Sequence, residues 1–314
     1  MKIVFAEPIG MTSSTKASFA FEMQELGHTV EYYDNLVRDQ ADLSKRAAGA
    51  DVLVLSNQPL SATTINGLEK LKMISVAFTG VDHLPLDYCR DKKILISNAA
   101  GYSTAAVAEL TISMAISLMR KVVELDSSTR EGDTRKGFLG GELYGKTFGI
   151  FGLGAIGTRV AQLANAFGCN VIAYNRTLKH IDGVELVGLE ELFSTADVVS
   201  LHIPATSQTV GIVNNKLIST MKPNSILINT ARGTLVDYSA LSKALNDGLI
   251  AGAAVDVYEH EPPIEMDHPL FKAPNTILLP HVGYATKEAI DRRTDIVLEN
   301  IRCWLKNIPQ NVVV

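Results

Sequence analysis

Hydrophobic positions along the chain fall into short β-rich runs at residues 2–6, 29–33, 51–56, 73–78 and 94–97, with amphipathic stretches between most of them. This alternation predicts βα units on a parallel sheet. A long apolar helical pattern then covers residues 104–130, and the polar, glycine-rich segment 131–145 reads as a domain crossing. A second series of runs follows at 147–152, 170–175, 197–202, 225–230, 250–258 and 276–281. These are almost wholly apolar, as parallel strands covered on both faces should be. Residues 287–306 are helical in pattern, and their place after the second series suggests a return to the first domain. No internal repeat or low-complexity tract interrupts the pattern.

The length, 314 residues, suits two domains. With 46% hydrophobic and 20% charged residues the chain has a core to bury, which excludes disordered, collagenous and coiled-coil classes. A net charge of −5 without a basic run gives no grip on nucleic acid or an anionic membrane, so small-molecule chemistry is expected. The amino terminus reads as an immediate strand with no secretory leader. The most apolar stretch, 105–119, is interrupted by Glu109 and is short for a membrane span. Cys89, Cys169 and Cys303 are odd in number and widely spaced, fitting reduced thiols in a cytoplasmic protein, and no metal site is expected.

Gly152-Leu153-Gly154-Ala155-Ile156-Gly157 matches GxGxxG between a strand and a helix pattern, the context in which the motif binds a dinucleotide. The first glycine permits the turn, the second admits the pyrophosphate, the third lets helix pack on strand, and the helix amino terminus favours the anion. The segment 140–147 also satisfies GxxxxGK[ST], but it follows a polar loop and leads into a strand, the wrong context for an ATP-binding loop. About 20 residues past the glycines, where an NAD enzyme carries an acid for the ribose hydroxyls, the chain reads Tyr174-Asn175-Arg176-Thr177. Asn175, Arg176, Thr177 and Lys179 could donate to a 2′-phosphate that an acid would repel, so NADP is expected to be preferred over NAD.

Three polar residues end consecutive predicted strands of the second series: Arg232, Glu261 and His281. Carboxyl ends of parallel strands face the ligand crevice. Hydride transfer to a 2-keto acid needs a cation for the carboxylate, an acid for the carbonyl oxygen and a group that governs that acid. Arg232 can grip a carboxylate in bidentate fashion, His281 can donate and accept a proton, and Glu261 can hold imidazolium. Singly, each has a duller explanation as a surface cation, a turn residue beside Pro262 and a loop histidine. Type, order and placement together make the case.

With these residues the chain resembles the D-isomer-specific 2-hydroxyacid dehydrogenase family. The motif order GxGxxG, HxP, NTARG, DVxxxEP and PHxG is met by Gly152 through Gly157, His202-Ile203-Pro204, the NTARG run from Asn229 to Gly233, the run from Asp256 to Pro262, and Pro280-His281-Val282-Gly283. Gly80-Val81-Asp82 and Val107-Ala108-Glu109 are further signatures. The resemblance implies two doubly wound α/β domains, a Rossmann nucleotide domain over 99–283 inserted in a flavodoxin-like substrate domain of 1–98 and 284–314. It implies a catalytic triad of Arg232, Glu261 and His281. It places Thr104, His202, Pro204, Thr209, Thr230, Ala231, Arg232, Asp256, His281 and Gly283 along the cofactor, with Asp256 near the nicotinamide carboxamide. Gly80 and Val81 would offer backbone N–H groups to the substrate carboxylate, with Phe78 and Tyr102 as walls. A homodimer joined through the nucleotide domain is also implied.

Departures from the pattern bear on substrate. Asn175 replaces the usual acid. Tyr284 stands where a small residue is common, narrowing the substrate pocket or adding a hydroxyl. Residues 55–59 lack the basic residue that phosphoglycerate dehydrogenases of the family carry, and no regulatory domain is expected after Val314. The expectation is a reductase of a small 2-keto acid such as glyoxylate, hydroxypyruvate or pyruvate. D-3-phosphoglycerate dehydrogenase and a non-enzymatic, corepressor-like dinucleotide sensor are the alternatives. A formate dehydrogenase, needing no proton donor at a carbonyl, fits least.

Overall fold

The computed structural model describes every residue of the chain except Lys136 and Pro262. It divides into two compact units, Met1–Ser103 with Ala285–Val314, and Thr104–Tyr284. The borders fall at 103/104 and 284/285, where the sequence suggested 98/99 and 283/284.

The first unit carries strands β1 (Lys2–Phe5), β2 (Thr29–Tyr32), β3 (Val52–Leu55), β4 (Met73–Val76) and β5 (Leu95–Ser97) in one parallel sheet of order β2-β1-β3-β4-β5. That is the flavodoxin-like order. Helices α1 (Ser13–Glu25), α2 (Gln40–Ala47), α3 (Ala62–Asn66) and α4 (Leu86–Asp91) make the crossovers. Side-chain alternation splits each strand between two apolar layers. Val4, Leu53, Leu55, Ile74, Val76 and Ile96 join one buried cluster with Leu43 and Ile65, while Phe5, facing the other way, packs edge-on to Phe19 of α1 at 6.0 Å between ring centroids. After the last helix of the chain, the tail pairs antiparallel with β5 through Ser97 and Val312, with Val313 N–H donating to Ile96 O at 2.8 Å.

The second unit holds β6 (Thr147–Phe151), β7 (Asn170–Tyr174), β8 (Val184–Leu186), β9 (Val198–Leu201), β10 (Ile226–Asn229), β11 (Gly252–Val255) and β12 (Thr276–Leu278), all parallel, in the order β12-β11-β10-β9-β6-β7-β8. The order reverses direction between β6 and β9, the switch point at which doubly wound sheets bind ligands. Helices α5 (Thr104–Arg120) and α7 (Ala155–Ala166) share one apolar layer with Phe148, Ile150, Val198, Ile226, Ile228 and Ala254. Helices α8 (Leu189–Thr195), α9 (Asn215–Ile218) and α10 (Tyr238–Asn246) share the other with Phe151, Val199, Leu201, Leu227, Ala253 and Val255.

Two expectations need correction. The helical pattern over 104–130 is two helices, α5 and α6 (Val122–Arg130), because Lys121 adopts φ +48° and stops the first. None of α6 is buried, so no core contact carries the helix across that break. Strand β8 escaped detection: its three residues sit at the sheet edge with Glu185 and Leu186 exposed, too short for a period to show. The ATP-loop look-alike at 140–147 ends in β6 rather than opening a helix. The return of the chain to the first unit is made by α11 (Lys287–Leu305), which buries Ala289, Val297, Leu298 and Ile301. Among the described residues no helix is long and apolar enough to cross a membrane.

Candidate active site

The glycine segment occupies the carboxyl end of β6 and the start of α7. At Gly157 an added Cβ would lie 1.9 Å from Gly152 O, and at Gly152, whose φ is +104°, 2.6 Å from His202 O. These two glycines are required by packing of the chain on itself. Gly154 is different: a Cβ there meets nothing within 4 Å, and α7 begins on it with no side-chain cap. Open space before uncapped helix amides is what an anionic pyrophosphate needs. The chain's own residues therefore fit the dinucleotide that the sequence implies.

Around this loop the side chains take tasks that the sequence did not show. Asn175 accepts the Leu153 N–H at 2.9 Å and donates to Thr177 O at 2.7 Å, so its amide holds the glycine loop and both ends are engaged. Lys179 donates to Leu153 O at 2.9 Å and to Thr158 Oγ at 3.1 Å. Arg176 and Thr177 are exposed beside them. His202 shares a 2.6 Å hydrogen bond between its Nε2 and the buried Ser200 hydroxyl, and desolvation pushes its imidazole down to about 3, so it is neutral there. Thr209 donates to Pro204 O at 2.7 Å and closes the loop after β9. Thr230 and Thr111 share a 3.1 Å hydroxyl contact that ties the end of β10 to α5, the helix that Thr104 opens.

Arg232, Glu261 and His281 follow β10, β11 and β12, three neighbours in the sheet. Glu261 Oε2 is hydrogen-bonded to His281 Nδ1, and its other oxygen accepts the Tyr258 N–H. A carboxylate can only accept, so Nδ1 carries the proton and Nε2 is left for chemistry. His281 has φ +57°, a left-handed conformation that costs a non-glycine residue about 1–3 kcal/mol. Buried Asp256 holds that turn, accepting Val282 N–H and Gly283 N–H at 2.8 Å each. Burial raises its carboxyl above the ordinary aspartate range, opposed by those two amides. Tyr284 sets its ring edge-on to His281 at 5.8 Å. Arg232 donates to Ala231 O at 2.8 Å, and Ala231 N–H is held by Asn229 at 3.1 Å. Pro262, which closes the DVxxxEP motif, lies outside the described residues.

In the first unit, Phe78 and Tyr102 meet edge-to-face at 6.1 Å, with the Arg293 guanidinium 5.0 Å and 5.9 Å from their ring centroids. Tyr102 is buried in that packing. Gly80 and Val81 lie in the loop after β4, and among the described residues neither amide meets an acceptor. No group of three or more His, Cys, Asp and Glu among the described residues could hold a metal ion.

Residues 112–283 match the family described as D-isomer specific 2-hydroxyacid dehydrogenase, NAD binding domain. The chain is 38% identical to the glyoxylate reductase of Thermococcus litoralis over 285 residues, 86% of each protein. It is 40% identical to the D-3-phosphoglycerate dehydrogenase of Methanocaldococcus jannaschii over 299 residues, 93% of this chain and 56% of that protein. The chain thus spans little more than half the length of that relative. Among solved structures, an acyclic imino acid reductase in complex with NADPH and D-Arg matches with a TM-score of 0.92 and 30% identity, over 100% of both chains.

Proposed function

The chain belongs to the D-isomer specific 2-hydroxyacid dehydrogenase family, and from that premise we propose that it reduces a small 2-keto acid to the D-2-hydroxy acid, preferring NADPH to NADH. The observation that carries the reading is the Glu261–His281 pair at the end of β12, beside the strand ends that bear Arg232 and Asp256. Bound reduced nicotinamide would supply the hydride to C2. Arg232 pairs with the substrate carboxylate and fixes the carbonyl. His281 delivers its Nε2 proton to the carbonyl oxygen as negative charge develops there, and Glu261 stabilises the imidazolium and its orientation.

The dinucleotide is assigned to Gly152, Leu153, Gly154, Ala155, Ile156 and Gly157, with Thr104, Asn175, Arg176, Thr177, His202, Pro204, Thr209, Thr230, Ala231, Asp256 and Gly283 beside it. Preference for NADPH is supported by the lack of a carboxylate at the end of β7 and by the exposed Arg176. Substrate contacts are assigned to Gly80 and Val81 through their amides, and to Phe78, Tyr102 and Tyr284. A phosphorylated substrate is disfavoured by the absence of a basic residue in the segment 55–59. A homodimer through the nucleotide-binding unit is supported by exposed Val122 and Val123 on α6 and by Leu139 and Tyr144 in the adjoining segment. Three unpaired cysteines suit a cytoplasmic setting.

The imino acid reductase likeness favours a second substrate form, the C=N of a 2-imino acid, on which hydride would go to C2 and the His281 proton to the imine nitrogen. The test is initial rates of NADPH and NADH oxidation with glyoxylate, hydroxypyruvate, pyruvate and phosphohydroxypyruvate, each with and without an added amine. Turnover of a small keto acid with NADPH, abolished in His281→Ala while NADPH still binds, is expected. Turnover that needs the amine selects the imine form. Dinucleotide binding with no turnover in any arm overturns the reductase reading in favour of a sensor.

A further inference from the structure

We infer that Tyr238 is a positioning residue, its single hydroxyl locking the turn that carries Arg232 to the segment that carries Glu261; the inference rests on the reductase reading above. Tyr238 opens α10 and is 1% exposed. Its hydroxyl donates to Val257 O at 2.6 Å and accepts from Asn229 Nδ2 at 3.0 Å. Asn229, at the end of β10, is fully buried, and its Nδ2 also donates to Arg232 O at 2.9 Å while its Oδ1 accepts the Ala231 N–H. Both donors of that amide and its oxygen are thus engaged with the Arg232 turn and with Tyr238. On the other side, Val257 is followed by Tyr258, whose N–H holds Glu261 Oε1.

The two segments run close together, with Asp256 N–H donating to Asn229 O at 3.0 Å where the strands end. A Cβ on Gly233 would fall 1.9 Å from the Tyr258 carbonyl carbon, so backbone lies against backbone. The Tyr238 hydroxyl both accepts from the Arg232 side and donates to the Glu261 side. Its proton stays in place, because burial keeps the phenol well above its ordinary value of 10. The ring has anchors of its own, edge-on to His268 at 5.3 Å and tilted against Tyr258 at 6.3 Å. Removing the oxygen alone therefore leaves the ring seated and cuts only the link. The two functions coupled here are distinct: Arg232 holds the substrate carboxylate, and Glu261 governs the proton donor. A displacement of about 1 Å between them costs up to roughly a hundredfold in rate.

The test is Tyr238→Phe in the full chain. The kcat/KM for the keto acid turned over by the wild type is expected to fall tenfold or more, with KM raised through Arg232 and kcat lowered through Glu261 and His281. Hydrogen–deuterium exchange is expected to quicken together in residues 229–236 and 255–261 and to stay unchanged in residues 152–158. A merely structural tyrosine would lower Tm and leave both kinetic constants of the folded enzyme where they were, and that result overturns the proposal. So does faster exchange in one of the two segments alone. Exchange is read without turnover, so a wild type inactive on every keto acid defeats the reductase reading, whereas uncoupled exchange defeats the link itself.

Discussion

Replacing Gly154 and Gly157 one at a time with alanine separates the ligand's demands on the glycine segment from those of the fold. At Gly157 the new methyl would stand 1.9 Å from Gly152 O and 3.1 Å from Gly152 C, so α7 or the loop must move by about 1.5 Å to reach ordinary contact. Overpacking against backbone belongs at the top of the usual range, about 3 kcal/mol. For a unit of this size that lowers Tm by about 6–12 °C. At Gly154 the methyl enters open space, and the residue's φ of −68° suits alanine. Loss of a favourable cap residue, some tenths of a kcal/mol, is offset by about 0.4–1 kcal/mol from reduced freedom of the unfolded chain. Its Tm should stay within about 2 °C of wild type. Yet the methyl fills the space assigned to the pyrophosphate, so NADPH binding should weaken at least tenfold, about 1.4 kcal/mol. Thermal unfolding and a fluorescence titration with NADPH, run on both variants, make the comparison. Wild-type affinity in Gly154→Ala would refute the assignment of this loop to the dinucleotide, and a Gly157→Ala protein as stable as wild type would refute the packing argument.

Two further perturbations test buried carboxyls. Asp256→Asn replaces two acceptors by one, so either Val282 N–H or Gly283 N–H faces a donor, at about 1–3 kcal/mol. Released from Asp256, the His281 turn should relax and kcat should fall tenfold or more with a Tm loss of a few degrees; unchanged kcat would show that Asp256 does not hold that turn. Glu7, buried two residues past β1, has its carboxyl raised above its ordinary 4.5 by burial, although Ser56 N–H donates to it at 2.8 Å. The native chain therefore holds this proton more tightly than the unfolded chain, and stability is lost as pH rises from about 4.5 through the raised value. Glu7→Gln removes that loss, so the difference in Tm, variant minus wild type, should climb with pH across this window and then level; a flat difference would refute the assignment.

By itself the sequence determined the two βα series, because parallel strands covered on both faces must be apolar along their length and short apolar runs show plainly. It also marked Gly152, Gly154, Gly157, Arg232, Glu261 and His281, since strand ends with glycine or charge are local events readable from neighbours in the chain. The unbroken helix over 104–130 was misread because the left-handed turn at Lys121 leaves no mark on hydrophobic period. What only the tertiary structure decided are the pairings between residues far apart in sequence. Asn175 bonds to Leu153 across 22 residues, Asp256 to Val282 across 26, and Tyr238 to Val257 across 19. A hydrogen bond depends on where two atoms arrive after the strands have been laid side by side, and sheet order reverses between β6 and β9 with no sign of it along the chain. Hence the candidate residues of the site were legible one by one, while the network that orients them came only with the fold.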